Sequence, residues 1–291
     1  MKFQNIVEYI LFRAIGFIIK IIGLKGTRAF AKMLALFLFY VVPIRKSVVI
    51  NNLKIAFPKK SDNEIYRIAK LNYISFATTF AELLFIPSLK KEKLLSITTV
   101  DDRELLDSTI QNSKRAIVMT AHFGNWEIGS LALNIILNKN MAVMAKPQRN
   151  GYINNYVNRL REKFGNTAIP TGLSVKEIYK ILLNGGIIGA VADQRGHPDG
   201  LRVKFFNRET AIFTGTFTMA VKSNALILFA IMIRQSDGDY RLVHQVINYD
   251  SSKYTLEENV VLVSQKYFDL LEVYVRQNPE QWFWMHKIWK Y

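Results

Sequence analysis

Short uncharged runs of β-branched and apolar residues alternate along the chain with longer stretches whose apolar residues recur at helical spacing. The short runs predict strands at 117–121, 141–145, 187–192, 225–233 and 241–249. The longer stretches predict helices near 62–86, 103–111, 175–184 and 256–277. Because strands and helices alternate, the pattern predicts an α/β fold in which helices flank a central sheet.

Three of the predicted helices begin with a capping box, in which a Ser or Thr is followed three residues later by Glu. The boxes are Ser61–Glu64, Ser174–Glu177 and Thr255–Glu258. Gly185 and Gly186 are expected to end the helix that follows the second box. No repeat and no Pro/Gly-rich linker interrupts the pattern after residue 60. We therefore expect one α/β domain over residues 61–291.

The N-terminal part of the chain has a different pattern. Tyr9–Leu24 is apolar apart from Arg13 and Lys20, and Ala29–Ile44 is apolar apart from Lys32. Neither run reaches the ~20 uninterrupted apolar residues of a simple spanning helix. Three interpretations remain: a single membrane span, helices lying in the membrane interface, or a pair of buried core helices. No small-residue cleavage site follows an apolar stretch, so we expect no removable signal peptide.

The distribution of charge favours a membrane. The formal net charge of the chain is +16, and residues 1–60 contribute eleven Lys or Arg residues against one acid, Glu8. Anionic lipids at a cytoplasmic membrane face attract basic residues that flank apolar helices. We therefore expect residues 1–60 to be a basic, apolar, membrane-associated helical segment at an anionic membrane surface. We expect no nucleic-acid partner, because the basic residues are not interleaved with exposed aromatic residues.

The most chemically suggestive segment follows the first predicted strand. His122 leaves the carboxyl end of that strand, and a helix starts again a few residues later. Ligands of α/β sheets bind at this edge, where a helix N-terminus also presents N–H groups to negative charge. If Asn125 caps the helix, Glu127 lies in the first turn and can fold back onto one imidazole nitrogen. We predict that His122 is a general base oriented by Glu127, and that Asn125 lies at an oxyanion site.

A less specific interpretation of this segment also has to be considered. His122 could be an ordinary hydrogen-bonded loop histidine, and Glu127 could simply complement the helix dipole. An isolated His and Glu would not distinguish this from catalysis.

Other polar residues follow strands that should end at the same edge of the sheet. Arg149 lies in the loop after the second predicted strand, and Asp193 and Arg195 follow the third. Arg159 and Arg161 lie in the helical stretch after the first of these loops. A guanidinium there could bind an anionic head group or a developing oxyanion. We expect these five residues in substrate-binding roles, with structural or solvated charges as the alternative.

Residues 122–127 (HFGNWE) resemble the His-x4-Glu/Asp motif of the bacterial lipid A biosynthesis acyltransferases. Five further blocks resemble that family in the same order. They are 45–58 (RKSVVINNLKIAFP), 159–161 (RLR), 193–195 (DQR), 203–206 (VKFF) and 278–287 (NPEQWFWMHK). A lone His-x4-Glu would be a weak match, whereas ordered blocks over nearly the whole chain make the resemblance specific.

The resemblance implies a glycerolipid-acyltransferase-like fold with a mixed central sheet, and an O-acyltransferase activity. The acyl chain would leave a thioester of acyl carrier protein or coenzyme A. Its acceptor would be a hydroxyl of a lipid A precursor, a membrane glycolipid, at the cytoplasmic face of the bacterial inner membrane. An Arg of the 159–161 block would lie in the active site.

Two other functions stay open at this point. The same fold could acylate a different membrane lipid, such as a glycerophospholipid, a mannosylated inositol lipid or an aminolipid. Alternatively, the chain could be a non-catalytic membrane-surface protein in which His122 is incidental.

Several chemistries find no support in the sequence. The chain has no Cys and no Gly-x-Ser-x-Gly motif, so a covalent acyl-enzyme has no obvious nucleophile. The four histidines, at positions 122, 197, 244 and 286, lack metal-site spacing. We therefore expect direct transfer without a metal or cofactor.

Two later segments give weaker expectations. The turn-rich 196–200 stretch and the following Phe205 and Phe206 are expected to form a lid or the wall of an acyl groove. Family members commonly have Gly where this chain has Asn207, which also tolerates left-handed backbone angles. In the tail, Asn278 and Pro279 are expected to start a helix, and the tail aromatics to lie in the core.

Overall fold

The computed structural model describes residues 2–171 and 175–290. Its helices are α1 (Lys2–Tyr40), α2 (Lys46–Ala56), α3 (Asp62–Phe85), α4 (Lys91–Ser96), α5 (Arg103–Gln111), α6 (Trp126–Leu137), α7 (Gly151–Arg161), α8 (Val175–Leu183), α9 (Gly215–Lys222) and α10 (Leu256–Gln277). Its strands are β1 (Thr98–Val100), β2 (Ala116–Thr120), β3 (Met141–Ala145), β4 (Thr167–Pro170), β5 (Ile187–Val191), β6 (Arg202–Phe205), β7 (Arg208–Ala211), β8 (Leu226–Arg234) and β9 (Tyr240–Val246). Single 3-10 turns occupy Ile86–Ser88 and Pro279–Gln281.

Seven strands form one mixed sheet in the order β1-β9-β8-β2-β5-β3-β4. The β8–β9 pair is antiparallel, and every other pair in this sheet is parallel. Strands β6 and β7 form a separate antiparallel hairpin. Helices pack on both faces of the large sheet, where they build two apolar clusters. The predicted α/β fold with a mixed sheet and flanking helices is confirmed.

The burial of the central strands explains the uncharged apolar runs from which they were predicted. Strands β2 and β5 lie inside the sheet, and nearly all of their side chains are buried, which explains their uncharged β-branched composition. The five predicted strands all occur, with ends displaced by at most three residues. Strands β1 and β4 were not predicted, because they are only three and four residues long and partly exposed.

Two capping boxes form as the sequence predicted. The hydroxyls of Ser61 and Thr255 accept from the N–H groups of Glu64 and Glu258, whose carboxylates bind back to the capping residues. Ser174, the start of the third box, lies outside the described residues.

The predicted helix start at Pro279 is confirmed only in part. Only one 3-10 turn forms there, and the Asn278 side chain does not cap it. The chain then runs extended, because Trp282 pairs with Phe123 and the amide of Asn72 donates to the carbonyls of Glu280 and Trp282. Trp282 and Trp284 are fully buried, so these two tail aromatics belong to the core as expected.

The two apolar runs of the N-terminal segment form one kinked helix. The kink in α1 lies at Gly23, whose φ of 68° is a left-handed value that glycine adopts without steric cost. One face of α1 packs against α3, while many of its large apolar side chains remain exposed. None of the described helices combines the length and apolar character needed to cross a bilayer.

The expected aromatic lid is also wrong. Phe205 ends β6 and is fully buried, with its ring against Trp282 and Phe268. Phe206 is buried beside Trp284. These rings therefore fill the core. Asn207 does adopt a left-handed backbone, with φ 56°.

Candidate active site

The carboxyl edge of the sheet brings His122 and Asp193 together. Thr120 at the end of β2 is in register with Val191 at the end of β5. His122 and Asp193 each lie two residues beyond this pair. Because the two strands are parallel neighbours, both residues follow the strand ends at the same edge of the sheet. This register is the reason that two residues far apart in sequence meet.

The imidazole of His122 is held by the carboxylate of Asp193. Nδ1 lies 2.7 Å from Oδ1 of Asp193, and the backbone N–H of His122 donates to Oδ2 at 2.9 Å. The indole Nε1 of Trp282 donates to the same Oδ2 at 2.9 Å. An ionised carboxylate only accepts hydrogen bonds, so Nδ1 carries the proton and Nε2 keeps its lone pair. Within residues 2–171 and 175–290, Nε2 has no hydrogen-bond partner.

Glu127 does not orient His122, and that geometric expectation is corrected. Its two carboxylate oxygens accept from Nε and Nη2 of Arg161, at 2.9 and 2.6 Å. This is the bidentate geometry that guanidinium and carboxylate groups favour. Glu127 therefore acts on the imidazole only through its charge.

The electrostatics of the pair agree with its geometry. Burial by itself lowers the pKa of His122, but the charge and hydrogen bond of Asp193 and the charge of Glu127 outweigh it, so the pKa lies above its ordinary value. Burial raises the pKa of Asp193, but the charge of His122 and hydrogen bonds from His122 and Trp282 bring it below its ordinary value. Asp193 is thus ionised and able to stabilise an imidazolium.

The start of α6 is fixed by two residues of the motif. The Asn125 side chain accepts from the N–H of Ile128 and donates to the buried carboxylate of Glu82. Gly124 has φ 56°, and a Cβ built there would lie 1.7 Å from the carbonyl oxygen of Met232. Only glycine fits this crossing of backbones. The first turn of α6 consequently lies at the same edge as His122.

A cavity of about 810 Å³ opens beside the imidazole. This volume lies within the roughly 300–1,000 Å³ typical of ligand sites. Its polar edge contains Glu127 and Arg161, and the rings of Trp126 and Phe283 flank His122 at 5.2 and 5.8 Å. Further lining residues come from several helices and from five strands, among them Val118, Leu133, Met141, Val143, Gly189 and Met232. The cavity is apolar along the sheet and polar near the His122–Asp193 pair.

Residues 2–291 match the model of one protein family, described as bacterial lipid A biosynthesis acyltransferase. The match covers nearly the whole chain. The chain belongs to this family. Family membership implies acyl transfer from an acyl donor to a lipid acceptor. No curated protein matches the chain in sequence.

The structure of this acyltransferase family member separates the predicted arginines. Arg161 lines the cavity, whereas Arg159 is exposed and lies outside its lining. Arg149 is exposed too, and its guanidinium pairs with Glu8 at 2.6 Å. Arg195 donates to the backbone carbonyl of Lys287 at 2.7 Å, beside the cavity. The resemblance left open which Arg of the 159–161 block lies at the site, and only Arg161 does.

Asn125 is also placed differently from the prediction. Its side chain is fully buried against Glu82 and is not part of the cavity wall. Asn125 therefore caps the start of α6. The neighbouring Trp126 lines the cavity instead.

Two residues at the site were missed by sequence reasoning. Trp282 donates to Asp193 from 89 residues further along the chain, and Phe283 packs against the imidazole. The sequence relates the NPEQWFW stretch to the family by resemblance and assigns its aromatics to the core. Nothing in its spacing indicates contact with position 193.

Proposed function

We propose that the protein is an O-acyltransferase that moves a fatty acyl chain from a thioester of acyl carrier protein or coenzyme A to a hydroxyl of a lipid A precursor. The observation that carries the proposal is the His122–Asp193 pair, whose Nε2 lone pair lies at the polar edge of an apolar cavity. Family membership supplies the reaction type.

The first step is general base catalysis by His122. The acceptor hydroxyl donates to Nε2, which takes its proton as the oxygen attacks the thioester carbonyl. Asp193 holds the imidazole in the required tautomer and stabilises the imidazolium. When the tetrahedral intermediate collapses, the C–S bond breaks and the thiolate leaves. His122 returns the proton to that sulfur, so no covalent acyl-enzyme is needed.

In our proposal two groups stabilise the oxyanion. The N-terminus of α6, the positive end of the helix dipole, lies at the edge of the sheet that contains His122. Arg161 adds a guanidinium at the cavity, where its bidentate bond to Glu127 fixes its orientation. In this scheme Asn125 acts through the helix start, and Glu127 acts through Arg161.

The acyl chain would occupy the apolar part of the cavity. This part extends from His122 along the sheet to Met141, the first residue of β3. The exposed apolar side chains of α1, together with the basic residues of this segment, support docking at an anionic membrane. We place the reaction at the cytoplasmic face of the bacterial inner membrane, where a lipid acceptor and an acyl thioester can meet.

A transfer assay with purified protein in detergent micelles tests the proposal. Radiolabelled acyl-carrier-protein and acyl-CoA thioesters are offered with a lipid A precursor, and products are identified by mass spectrometry. His122→Ala is expected to lose at least about 100-fold in rate, the size of a general-base contribution. His197→Ala is the matched control, because its side chain is 78% exposed and lies outside the cavity.

Two results would count against the proposal. Equal rates for His122→Ala and the unmodified protein would remove the general base. Transfer to a glycerophospholipid or aminolipid, with none to the lipid A precursor, would keep the chemistry and reject the acceptor.

A further inference from the structure

The cavity beside His122 continues around the carboxyl edge of the sheet onto the opposite face. Its lining includes Val118 and Leu133, which belong to the apolar cluster on the α6 face of the sheet. It also includes Ile178 of α8 and Met219 of α9, which belong to the cluster on the other face. The cavity therefore has two branches, an α6 branch and an α9 branch, which meet beside the imidazole.

One face of α9 lines the α9 branch along the whole helix. The lining residues recur at i, i+3, i+4 and i+7, the spacing of a single helical face. They are Gly215, Thr218, Met219 and Lys222. At 1.5 Å per residue this face is about 10 Å long.

The α9 face leads away from the reacting histidine. Just before α9, the N–H of Phe213 donates to the carbonyl of Gln194 at 3.1 Å, so the helix begins near the Asp193 edge. The helix then runs toward the opposite edge of the sheet, where Leu226 of β8 is in register with Ala116, the first residue of β2. A ligand that extends from His122 can therefore follow this face.

Polar side chains without partners line the α9 branch. Thr216 is 4% exposed, and no residue that the structure describes bonds to its hydroxyl. The hydroxyl of the half-buried Thr218 has no partner among these residues either. Lys222, at the far end of the face, is exposed and forms no ion pair in the described part of the chain. A hydrocarbon chain in this branch would leave the hydroxyl of Thr216 unpaired and away from water, which is unfavourable.

The approach to His122 from the N-terminal helix has a different chemistry. Phe80 of α3 lines the cavity, is exposed, and packs edge-on against Trp126 at 6.3 Å. Helix α3 packs against α1, which has many exposed apolar side chains. A lipid acceptor thus has an aromatic approach past α3, and the polar α9 branch is left for the donor.

We propose that the α9 branch binds the pantetheine arm of the acyl donor while the acyl chain occupies the α6 branch. The inference rests on the proposed function, which makes the donor a thioester of acyl carrier protein or coenzyme A. Both carriers present the same arm, which contains two amides, a hydroxyl and a terminal phosphate. Threonine hydroxyls both donate and accept, so Thr216 and Thr218 pair with the amides. Lys222, at the far end of the face, binds the phosphate.

Binding of non-transferable donor analogues to the full-length protein in detergent micelles tests the inference without turnover. Alkyl thioethers of one chain length are built on mercaptoethanol, pantetheine and 4′-phosphopantetheine, and their dissociation constants are compared. The unmodified protein is expected to bind the pantetheine thioether roughly tenfold or more tightly than the mercaptoethanol thioether, the scale of two net hydrogen bonds. The phosphopantetheine thioether is expected to bind more tightly still.

Substitutions in α9 assign these preferences to the branch. Thr216→Val and Thr218→Val keep the side-chain shape and remove the hydroxyl. Each should weaken binding of the pantetheine thioether about fivefold and leave binding of the mercaptoethanol thioether unchanged. Lys222→Gln should weaken binding of the phosphopantetheine thioether about tenfold and leave binding of the pantetheine thioether unchanged.

Matched controls separate the α9 face from general effects of these substitutions. Thr78→Val also removes a hydroxyl from a buried helical threonine, but Thr78 lies outside the cavity lining. Lys91→Gln removes an exposed charge from α4, also outside the lining. Both controls should bind all three thioethers as the unmodified protein does. Thermal unfolding of every variant separates lost binding from lost folding.

The same thioethers on acyl carrier protein and on coenzyme A identify the source of the arm. Weaker binding of only one carrier by the two valine variants assigns the branch to that carrier, and weaker binding of both assigns it to the arm that they share. Equal binding of the pantetheine and mercaptoethanol thioethers by the unmodified protein would overturn the inference. Valine variants that bind the donor analogues normally but a lipid A precursor more weakly would assign the branch to the acceptor and overturn it as well.

The inference and the proposed function can fail separately. The expected binding pattern without transfer to any lipid would reject the proposed function and leave the pantetheine site standing. Transfer that depends on His122, with unchanged donor binding in both valine variants, would reject the pantetheine site and leave the function standing.

Discussion

The carboxylate that orients His122 comes from a residue 71 positions further along the chain. A closer acid, Glu127, is available, but it is engaged with both of its oxygens by Arg161. The two acids thus have different partners. Asp193 fixes the tautomer of the His122 imidazole, and Glu127 fixes the orientation of the Arg161 guanidinium. At the scale of single residues, the site consists of two side-chain pairs on one edge of a sheet, His122 with Asp193 and Arg161 with Glu127.

The pH dependence of transfer should report the first of these pairs. The pKa of His122 is raised above 6.5, and a general base works only when neutral, so the rate should rise with pH through a value above 6.5. Asp193→Asn removes both a charge and a hydrogen-bond acceptor. We expect its acid limb to move to lower pH and its maximal rate to fall roughly 100-fold or more. Profiles of kcat/KM against pH measure both effects.

Glu127→Gln provides the comparison within the same profiles. Glu127 raises the pKa of His122 only through its charge, and less than Asp193 does. The acid limb of the Glu127→Gln profile should therefore move to lower pH by less than the acid limb of the Asp193→Asn profile. A larger displacement for Glu127→Gln would indicate that Glu127 orients the imidazole during turnover.

At the scale of elements, the start of α6 depends on the approach of Gly124 to β8. We expect Gly124→Ala to lower the free energy of unfolding by about 2–4 kcal/mol, because an L-residue resists this φ and its Cβ overlaps the carbonyl of Met232. Urea titration measures the change. Gly151→Ala, in α7 with no atom within 4 Å of its Cβ, should be neutral or stabilising. Equal effects of the two substitutions would contradict the close approach.

Strand β5 contributes a second glycine, and this one faces the cavity. A Cβ at Gly189 would lie 3.0 Å from Sδ of Met141 and 3.2 Å from Cγ1 of Val143. Gly189→Val should fold, because the Met141 side chain is flexible, but it should narrow the cavity. Competition between acyl donors of different length should then favour shorter chains. Gly151→Val lies outside the cavity lining and should leave the preference unchanged.

At the scale of the whole molecule, a buried carboxylate joins the N-terminal helix to the edge of the sheet that contains His122. Glu82 in α3 is fully buried and accepts from Arg28 of α1, Arg234 of β8 and the hydroxyl of Tyr240, and also from Asn125. Burial raises the pKa of Glu82, but the two arginines outweigh it and hold it below the ordinary value. One ion cluster therefore fixes α1 and the helix start beside His122 to the same core.

Removing this carboxylate should be costly. Glu82→Ala leaves two guanidiniums without their common partner, so we expect a loss of about 3–5 kcal/mol in the free energy of unfolding. Glu92→Ala, on the exposed face of α4, serves as the control and should change it by less than about 0.5 kcal/mol. A loss below about 1 kcal/mol for Glu82→Ala would mean that the cluster does not stabilise the fold.

Local patterns in the amino-acid sequence determined the elements that depend on near neighbours. The capping boxes at Ser61 and Thr255 close over three residues, and the buried strands β2 and β5 need only uninterrupted apolar runs. The same patterns placed His122 and Asp193 at carboxyl ends of strands, because this follows from where each run stops. The fold class and the general region of the site were therefore predictable.

Only the tertiary structure decided which acid faces the imidazole and which tail residue contacts that acid. The pairing of His122 with Asp193 depends on the register of β2 against β5, and the contact of Trp282 with Asp193 depends on how the tail crosses that edge. Both are set by packing between segments far apart in sequence. Glu127 is only five residues from His122 and could chemically have oriented the imidazole. Instead, both of its carboxylate oxygens accept hydrogen bonds from Arg161 of α7, a contact between distant segments that sequence spacing does not predict.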